Sequence, residues 1–411
     1  MKGAFLKDIL IVAHYTSIPK KNAVGRFNVI ATKLSMAGYH IELVTSSFEH
    51  STKMQIDKLE TEIDELPYKL TLISEPGYKR NVSIRRILSH KKMAFNLKKY
   101  LKNRKIPDLV YCAIPSIDVA YITAKYCKKK KVKLVVDVQD LWPEAFNMVL
   151  PFGKLNTLLT YPLKCKADRV YKSADQVITV SETYKRRIQK VVQIVPVNVV
   201  YLGIQMEQYE ISEKNSQNFS EHISNANKIT IGYCGTLGHS YDLKCVMDAI
   251  SNLKVNENVY FLIMGDGPLR KEFEKYAKEK QVKAIFTGML SLENMIDQLK
   301  KCDILVNPIV KKSVASIINK HATYAMAGLP VLNTQECDEY MQLVENEKMG
   351  LNSPAGDYVA LADNMRFLIE HPQVRKKMGE NGRKLAYKIF DRRISYQKIV
   401  LIIEECLKED G

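Results

Sequence analysis

At 411 residues, 46% hydrophobic and 26% charged, the chain exceeds what one hydrophobic core usually serves and holds enough apolar material for two. No apolar run approaches the ~20 residues of a spanning helix, and Ile9–Ala13 is too short for a signal-peptide core, which excludes an integral membrane protein as the expectation. A formal net charge of +17 favours anionic partners without choosing among nucleic acid, sugar nucleotides and lipid phosphates, while eight scattered cysteines without a Cys-x-x-Cys pair argue against a zinc site or disulfide framework.

In chain order, Ile9–Ala13 reads as a buried strand, Phe27–Met36 as a helix and Ile41–Thr45 as a second strand. The runs Leu109–Ala113, Leu134–Val138 and Val177–Val180 follow, with helical stretches between them. Continuous β-branched runs separated by helices predict a parallel sheet buried on both faces. The pattern pauses between about Ile204 and Asn227, where the chain is polar and rich in Ser and Asn, as a linker is. It restarts with strands Ile229–Tyr233, Val259–Met264, Ala284–Thr287 and Ile304–Asn307, alternating with helices Leu243–Leu253, Leu269–Lys280 and Leu292–Lys300. Two βα series predict an α/β protein of two Rossmann-like doubly wound domains, residues 1–205 and 206–391. The last helix, within 392–411, is expected to pack back on the first domain.

Three segments suit a phosphate-bearing ligand. Gly25 opens a helix soon after the first strand, and Arg26 beside it is expected to reach the same anion. Gly235, Thr236 and Gly238 form a βα loop directly after the first strand of the second series; the loop is not G-x-G-x-x-G, so nicotinamide is not indicated. Gly265-Asp266-Gly267-Pro268 ends a strand and starts a helix, with Asp266 read as a turn former.

Taken in order, GTLG, IMGDGPLR, FTGMLSLENM, CDILVNP and NKHATYAMAGLPVLN resemble the nucleotide-binding half of family 4 glycosyltransferases. VGRFNVIATKLSMAGYHIELVTSSF, VVDVQDLWPE and SADQVITVSETYKRRI resemble the other half, in the subtype of bacterial capsule, O-antigen and exopolysaccharide assembly enzymes with a D-L-W-P-E segment. The resemblance implies the GT-B architecture, with two domains facing across a cleft, the donor mainly on the second and the acceptor on the first. It also implies retention at the anomeric centre without metal or organic cofactor, the nucleotide-sugar being a substrate with a uridine diphosphate carrier expected. By position, Gly235, Thr236 and Gly238 fall at the phosphate loop, with Gly265 in the next strand-end loop. Phe286–Met289, including Gly288 and Met289, fall where backbone meets the base. Asn319, Lys320 and Thr323 fall at the helix that contacts diphosphate and ribose, and Gln139 and Asp140 face the transferred sugar.

The chain also departs from that pattern. Two glutamates usual around this helix are replaced by Ala315 and Thr323, and the usual Arg and Lys of the phosphate loop are absent, Thr236 and Tyr241 standing near their places. Lys320 is therefore the main cationic candidate of the second domain. Asp140 reads either as a helix cap or as an active-site acid; Glu144 is expected to support the first turn of the following helix, and His239 reads as a surface residue.

Ser83–Lys105 holds Arg85, Arg86, Lys91, Lys92, Lys98, Lys99, Lys102, Arg104 and Lys105 without one acid, with Ile84, Ile87, Leu88, Ala94, Phe95 and Leu101 near one helical face. It reads either as a core helix with a solvated basic side or as an interfacial surface meeting anionic lipid and a lipid-diphosphate-linked saccharide acceptor. The functional expectation is a cytoplasmic glycosyltransferase, peripheral on the inner face of the plasma membrane, acting in surface polysaccharide synthesis. A sugar-nucleotide 2-epimerase of the same fold and a non-catalytic partner protein remain alternatives. Nucleic acid is not expected as a partner, since charge is its only support.

Overall fold

The computed structural model describes residues 6–16, 25–56, 66–81, 83–144, 155–207, 209–211, 228–253, 258–313 and 316–408. They form two compact units. Unit 1 is Met1–Leu202 with Tyr396–Gly411, and unit 2 is Gly203–Ser395. Ala315 and most of the polar tract at 204–227 lie outside the described residues.

Unit 1 is built on a seven-stranded sheet. Its strands are β1 (Asp8–Val12), β2 (His40–Ser46), β5 (Lys69–Ile73), β6 (Leu109–Ile114), β7 (Lys133–Val138), β8 (Gln176–Thr179) and β9 (Val197–Val199). All pair in parallel, in the order β5-β2-β1-β6-β7-β8-β9; β3 (Phe48–Glu49) and β4 (Met54–Gln55) make a small antiparallel hairpin. Side chains alternate between the faces, as the pleat requires. Leu10, Val12, Val110, Cys112, Leu134 and Val136 point into one core, shared with helices α2 (Ile84–Asn103), α3 (Ile117–Lys130) and α4 (Leu155–Lys172). Ile9, Ile11, Leu109, Tyr111 and Val135 point into the other.

That second core is closed by α1 (Arg26–Met36) and by α14 (Gln397–Lys408), which brings Ile399, Val400, Ile403, Cys406 and Leu407 against Ile9, Ile11 and Tyr111. Just before α14, the Tyr396 hydroxyl donates to the Leu202 carbonyl at 2.6 Å. In α2 the core is filled by Met93, Ala94, Leu97 and Leu101, while Ile84, Ile87, Leu88 and Phe95 are exposed. The apolar residues of that helix therefore divide between its inner and outer sides, and Arg104 turns inward to pair with Asp8 and Glu42.

Unit 2 has a six-stranded parallel sheet in the order β12-β11-β10-β13-β14-β15. Its strands are β10 (Ile229–Cys234), β11 (Val259–Met264), β12 (Lys283–Gly288), β13 (Ile304–Asn307), β14 (Val331–Asn333) and β15 (Gly350–Asn352). Ile231, Tyr233, Phe261 and Ile263 line one core, and Leu262, Met264, Leu305 and Tyr324 the other. In both units the strand order reverses beside the first strand, at β1/β6 and at β10/β13. Open α/β sheets bind ligands outside the carboxyl ends of the strands at such a reversal.

Candidate functional site

At the carboxyl ends of β10, β11 and β12 the backbone is knitted together. The Gly235 amide donates to the Met264 carbonyl at 2.9 Å, and the Gly265 amide donates to the Gly288 carbonyl at 2.9 Å. Gly265 has φ +141°, and a Cβ there would stand 1.9 Å from the Gly235 carbonyl oxygen. Only glycine permits this approach. The Tyr233 hydroxyl donates to the Thr236 carbonyl at 2.7 Å, and the Leu237 amide donates to the Asp266 carbonyl at 2.9 Å. The loop Gly235–Gly238 is thereby fixed in shape before any ligand arrives.

Helix α9 (Asn319–Ala327) starts beside this loop. Tyr324 anchors it, lying 2.8 Å from the Cys234 amide, whose proton it accepts, and donating to the Val306 carbonyl at 3.2 Å. Beneath the first turn runs a buried polar chain. Asn307 Nδ2 lies 2.9 Å from Asn333 Oδ1, 3.1 Å from Gln335 Oε1 and 3.2 Å from His321 Nε2. His321 accepts from the Ile318 amide at 3.3 Å and stacks on Tyr340 at 3.5 Å. Burial, with Lys320 adjacent, keeps its imidazole well below the usual histidine range, so the ring is neutral.

This frame presents Lys320. Its side chain is buried, with Nζ 4.0 Å from the centroids of both the Tyr233 and Tyr241 rings. A Cβ on Gly235 would stand 3.1 Å from Nζ. Nζ has no hydrogen-bond partner among the described residues. Burial lowers its pKa to about 7. Aromatic faces tolerate a cation but supply no counter-charge, so an anion lying on the glycine loop is the partner this ammonium lacks. Arg270, which sequence reading does not single out, stands by the same edge. It donates to the Phe286 carbonyl at 3.4 Å while paired with Asp266 and Glu274.

The remaining unit 2 residues vary in placement. Thr323 is half-buried and its hydroxyl donates to the Asn319 carbonyl at 3.4 Å, while Asn319, Thr236 and His239 are more open to solvent. Met289 is exposed beyond Gly288. Asp266 accepts from the Gly267 amide at 2.7 Å, as a turn former does. A cavity of about 420 Å³ lined by Cys302, Gly328, Pro330, Arg375 and Arg383 lies at the amino ends of β13 and β14, on the opposite edge of the sheet.

In unit 1, Gln139 and Asp140 follow β7 directly. The Gln139 amide donates to the Ile114 carbonyl at 2.9 Å, and its Nε2 is buried without a partner among the described residues. Asp140 is half-buried and accepts from Trp142 Nε1 at 3.1 Å; burial raises its pKa above the usual carboxylate range. At the β1/β6 reversal the structure adds a network that sequence reading misses. His14 lies 2.8 Å from Ser116 Oγ through Nδ1 and 2.7 Å from Glu75 Oε1 through Nε2. Glu75 also accepts from Ser46 and Ser89. Its pKa falls to about 2 because these donors overcome burial. Separate segments of the chain supply this network, and no local motif marks it.

One expectation needs correcting. Gly25 does cap α1, but Arg26 does not face a ligand. It is buried, pairs with Asp137 through Nε at 2.8 Å and reaches the Val200 and Tyr201 carbonyls. Asp137 lies on the face of β7 that α1 covers, and a buried carboxylate in an apolar sheet requires a cation. Glu144 pairs with Arg187 of α5 (Glu182–Gln189), while residues 145–154, whose first turn it is expected to support, lie outside the described residues.

Residues 28–208 match Glycosyltransferase Family 4, and residues 214–385 match Glycosyl transferases group 1. The chain is 24% identical over 285 residues to "Probable glycosyltransferase WbjE" of Pseudomonas aeruginosa, covering 67% of this chain and 69% of that one. It is 22% identical over 366 residues to the Campylobacter jejuni GalNAc-alpha-(1->4)-GalNAc-alpha-(1->3)-diNAcBac-PP-undecaprenol alpha-1,4-N-acetyl-D-galactosaminyltransferase, covering 87% and 92%. Among solved structures, Anabaena HepE in complex with UDP superposes with a TM-score of 0.68 at 16% identity, over 97% of this chain and 100% of that one. With two parallel α/β units, a glycine-knit loop at the switch point of the second and both halves matched, the chain belongs to the family 4, group 1 glycosyltransferases of the GT-B fold.

Proposed function

We propose that this glycosyltransferase moves a sugar from a uridine-diphosphate donor to a lipid-linked saccharide in surface polysaccharide synthesis, working at an anionic membrane face. The observation that carries the donor half is the unpartnered Lys320 ammonium beside Gly235 at the switch point of unit 2. The N–H groups of a helix start and a buried cation suit a leaving diphosphate. HepE, of the same fold, is described in complex with UDP. The acceptor half is supported by the name of the Campylobacter enzyme, which carries a PP-undecaprenol saccharide.

Retention without a metal is part of the same reading and is supported by the resemblance. Asp140 and Gln139, at the carboxyl end of β7, are assigned to the transferred sugar, with Asp140 oriented by the Trp142 indole. No described helix is long and apolar enough to cross a membrane. The outer side of α2 instead exposes Ile84, Ile87, Leu88 and Phe95 among Arg85, Lys91, Lys92, Lys98 and Lys99. Apolar and basic side chains mixed on one exposed face suit an anionic bilayer.

A thermal-shift screen with uridine, guanosine and thymidine sugar nucleotides tests the donor, because a specific ligand stabilises the folded state. Transfer of label from the stabilising donor into a butanol-extractable lipid then tests the acceptor. No stabilisation by any uridine nucleotide removes the donor assignment, and label appearing only in water-soluble product removes the lipid.

A further inference from the structure

Unit 1 holds a second cationic cluster that the donor site does not use. The Arg86 guanidinium lies 4.9 Å from the Trp142 ring, 5.4 Å from the Tyr78 ring and 5.9 Å from the Tyr15 ring. Lys53 Nζ lies 5.2 Å from the same Tyr78 ring. Two cations thus share one aromatic side chain, and neither forms an ion pair among the described residues. Arg86 donates to the Tyr15 hydroxyl at 3.2 Å and to the Asn81 carbonyl at 2.8 Å, but its Nε is buried with no partner among the described residues.

The acids whose charge reaches this cluster are committed elsewhere. Glu75 accepts from His14, Ser46 and Ser89, and Asp140 accepts from Trp142. The His50 and His90 imidazoles carry no charge at neutral pH, since burial first and neighbouring charged groups second lower His50 to about 4 and His90 to about 3. Lys53 is depressed as well, by burial and then by Arg86. The two cations therefore repel each other, and the rings beside them, Tyr15, Tyr78 and Trp142, supply no counter-charge. An anion of two or more charges relieves the repulsion and gives Arg86 Nε an acceptor.

The outer side of the same helical turns narrows the anion. Ile84, Ile87 and Leu88, in the same first turns of α2, are exposed apolar side chains with relative accessibilities of 76%, 54% and 57%. A diphosphate joined to a hydrocarbon chain satisfies both sides of this turn, whereas a nucleoside diphosphate leaves the apolar side in water. We infer that Arg86 and Lys53 bind the diphosphate of a prenyl-diphosphate-linked acceptor, with Ile84, Ile87 and Leu88 against its hydrocarbon chain. This rests on the lipid-linked acceptor proposed above and adds the residues that read it.

Calorimetry on the full chain with geranyl diphosphate, inorganic pyrophosphate and UDP tests the assignment. The wild type should bind geranyl diphosphate more tightly than pyrophosphate. Arg86→Ala and Lys53→Ala should each weaken geranyl diphosphate by roughly 10- to 100-fold, the scale of a lost charge-assisted contact. Arg86→Lys should retain part of the affinity. UDP affinity should stay unchanged in all three, with circular dichroism and thermal unfolding reporting that each variant is folded; should Arg86→Ala unfold, Arg86→Lys and Lys53→Ala carry the comparison. Variants that bind geranyl diphosphate as the wild type does overturn the residue assignment alone. Parallel loss of UDP binding in folded variants assigns the cluster to the donor instead, and equal affinity for pyrophosphate removes the lipid. A wild type that binds no prenyl diphosphate defeats the lipid-acceptor reading together with this one.

Discussion

Arg26 and Asp137 form an ion pair, 2.8 Å from Nε to Oδ2, in which both side chains are almost wholly removed from water. Asp137 also accepts from the Tyr111 hydroxyl at 2.7 Å. Removing one member strands a buried charge, which costs about 3–5 kcal/mol. Arg26→Ala should therefore lower the unfolding free energy of unit 1 by that scale, read from its denaturant midpoint and slope, while leaving UDP affinity unchanged in protein that remains folded. A selective loss of UDP binding at wild-type stability would return Arg26 to the ligand site.

Lys320→Ala should weaken nucleoside diphosphate binding by about 1.5–3 kcal/mol, the loss of a charge-assisted hydrogen bond. The site should also be pH-sensitive, since the ammonium titrates at about 7 when folded and at 10.5 otherwise. Below the lower value both states hold the proton. Between the two values the unfolded chain holds more, so stability of the unliganded protein rises with pH across that window. A bound diphosphate favours the protonated ammonium, so UDP affinity should fall from about pH 7.5 to about pH 9 in the wild type and stay level in Lys320→Ala. A flat wild-type profile would rule out proton-coupled binding.

Thr323→Asp and Thr323→Glu place a carboxylate one turn into α9, where Thr323 now bonds only weakly to the Asn319 carbonyl. An ionised acceptor holds ribose hydroxyls more strongly than a hydroxyl does. Both variants should bind UDP more tightly by calorimetry. Weaker binding in both would mean that this pocket is shaped around threonine.

Docking on an anionic bilayer should depend on the outer face of α2. Each basic residue near such a surface contributes about 1 kcal/mol before salt screening. Replacing Arg85, Lys91, Lys92 and Lys99 by Gln should abolish co-sedimentation with anionic liposomes, and salt should release the wild type. Arg86 is left out of this set because its guanidinium points among aromatic rings. Equal pelleting with neutral and anionic vesicles would refute electrostatic docking.

Where a run of apolar residues ends in glycine, the sequence is enough to pick out candidates that the fold brings together: Gly235 after β10 and Lys320 before the AMAG turn are neighbours. The short strands β9, β14 and β15 are not legible, because three residues offer too little periodicity. The inward turns of Arg26 and Arg104 escape sequence reading although the sequence carries a signal for both. Asp137 in VVDV and Glu42 in IELV are carboxylates inside buried strands, and each demands a cation from elsewhere. The Arg86–Lys53 cluster is beyond reach, since its members come from a hairpin and a helix whose meeting no spacing encodes.

The helix Gln397–Lys408 gives unit 1 an unusual birth order. Its core residues Ile399, Ile403 and Cys406 are translated only after all of Gly203–Ser395. At the ~5–20 residues per second of synthesis, the nascent first unit waits on the order of ten to forty seconds with only α1 over the Ile9, Ile11 and Tyr111 face. That interval is long enough for a chaperone to engage. A ribosome-stalled chain ending at Leu202 should be cut readily by a protease that spares the same segment in the released protein. Equal resistance would mean that the first unit matures without its last helix.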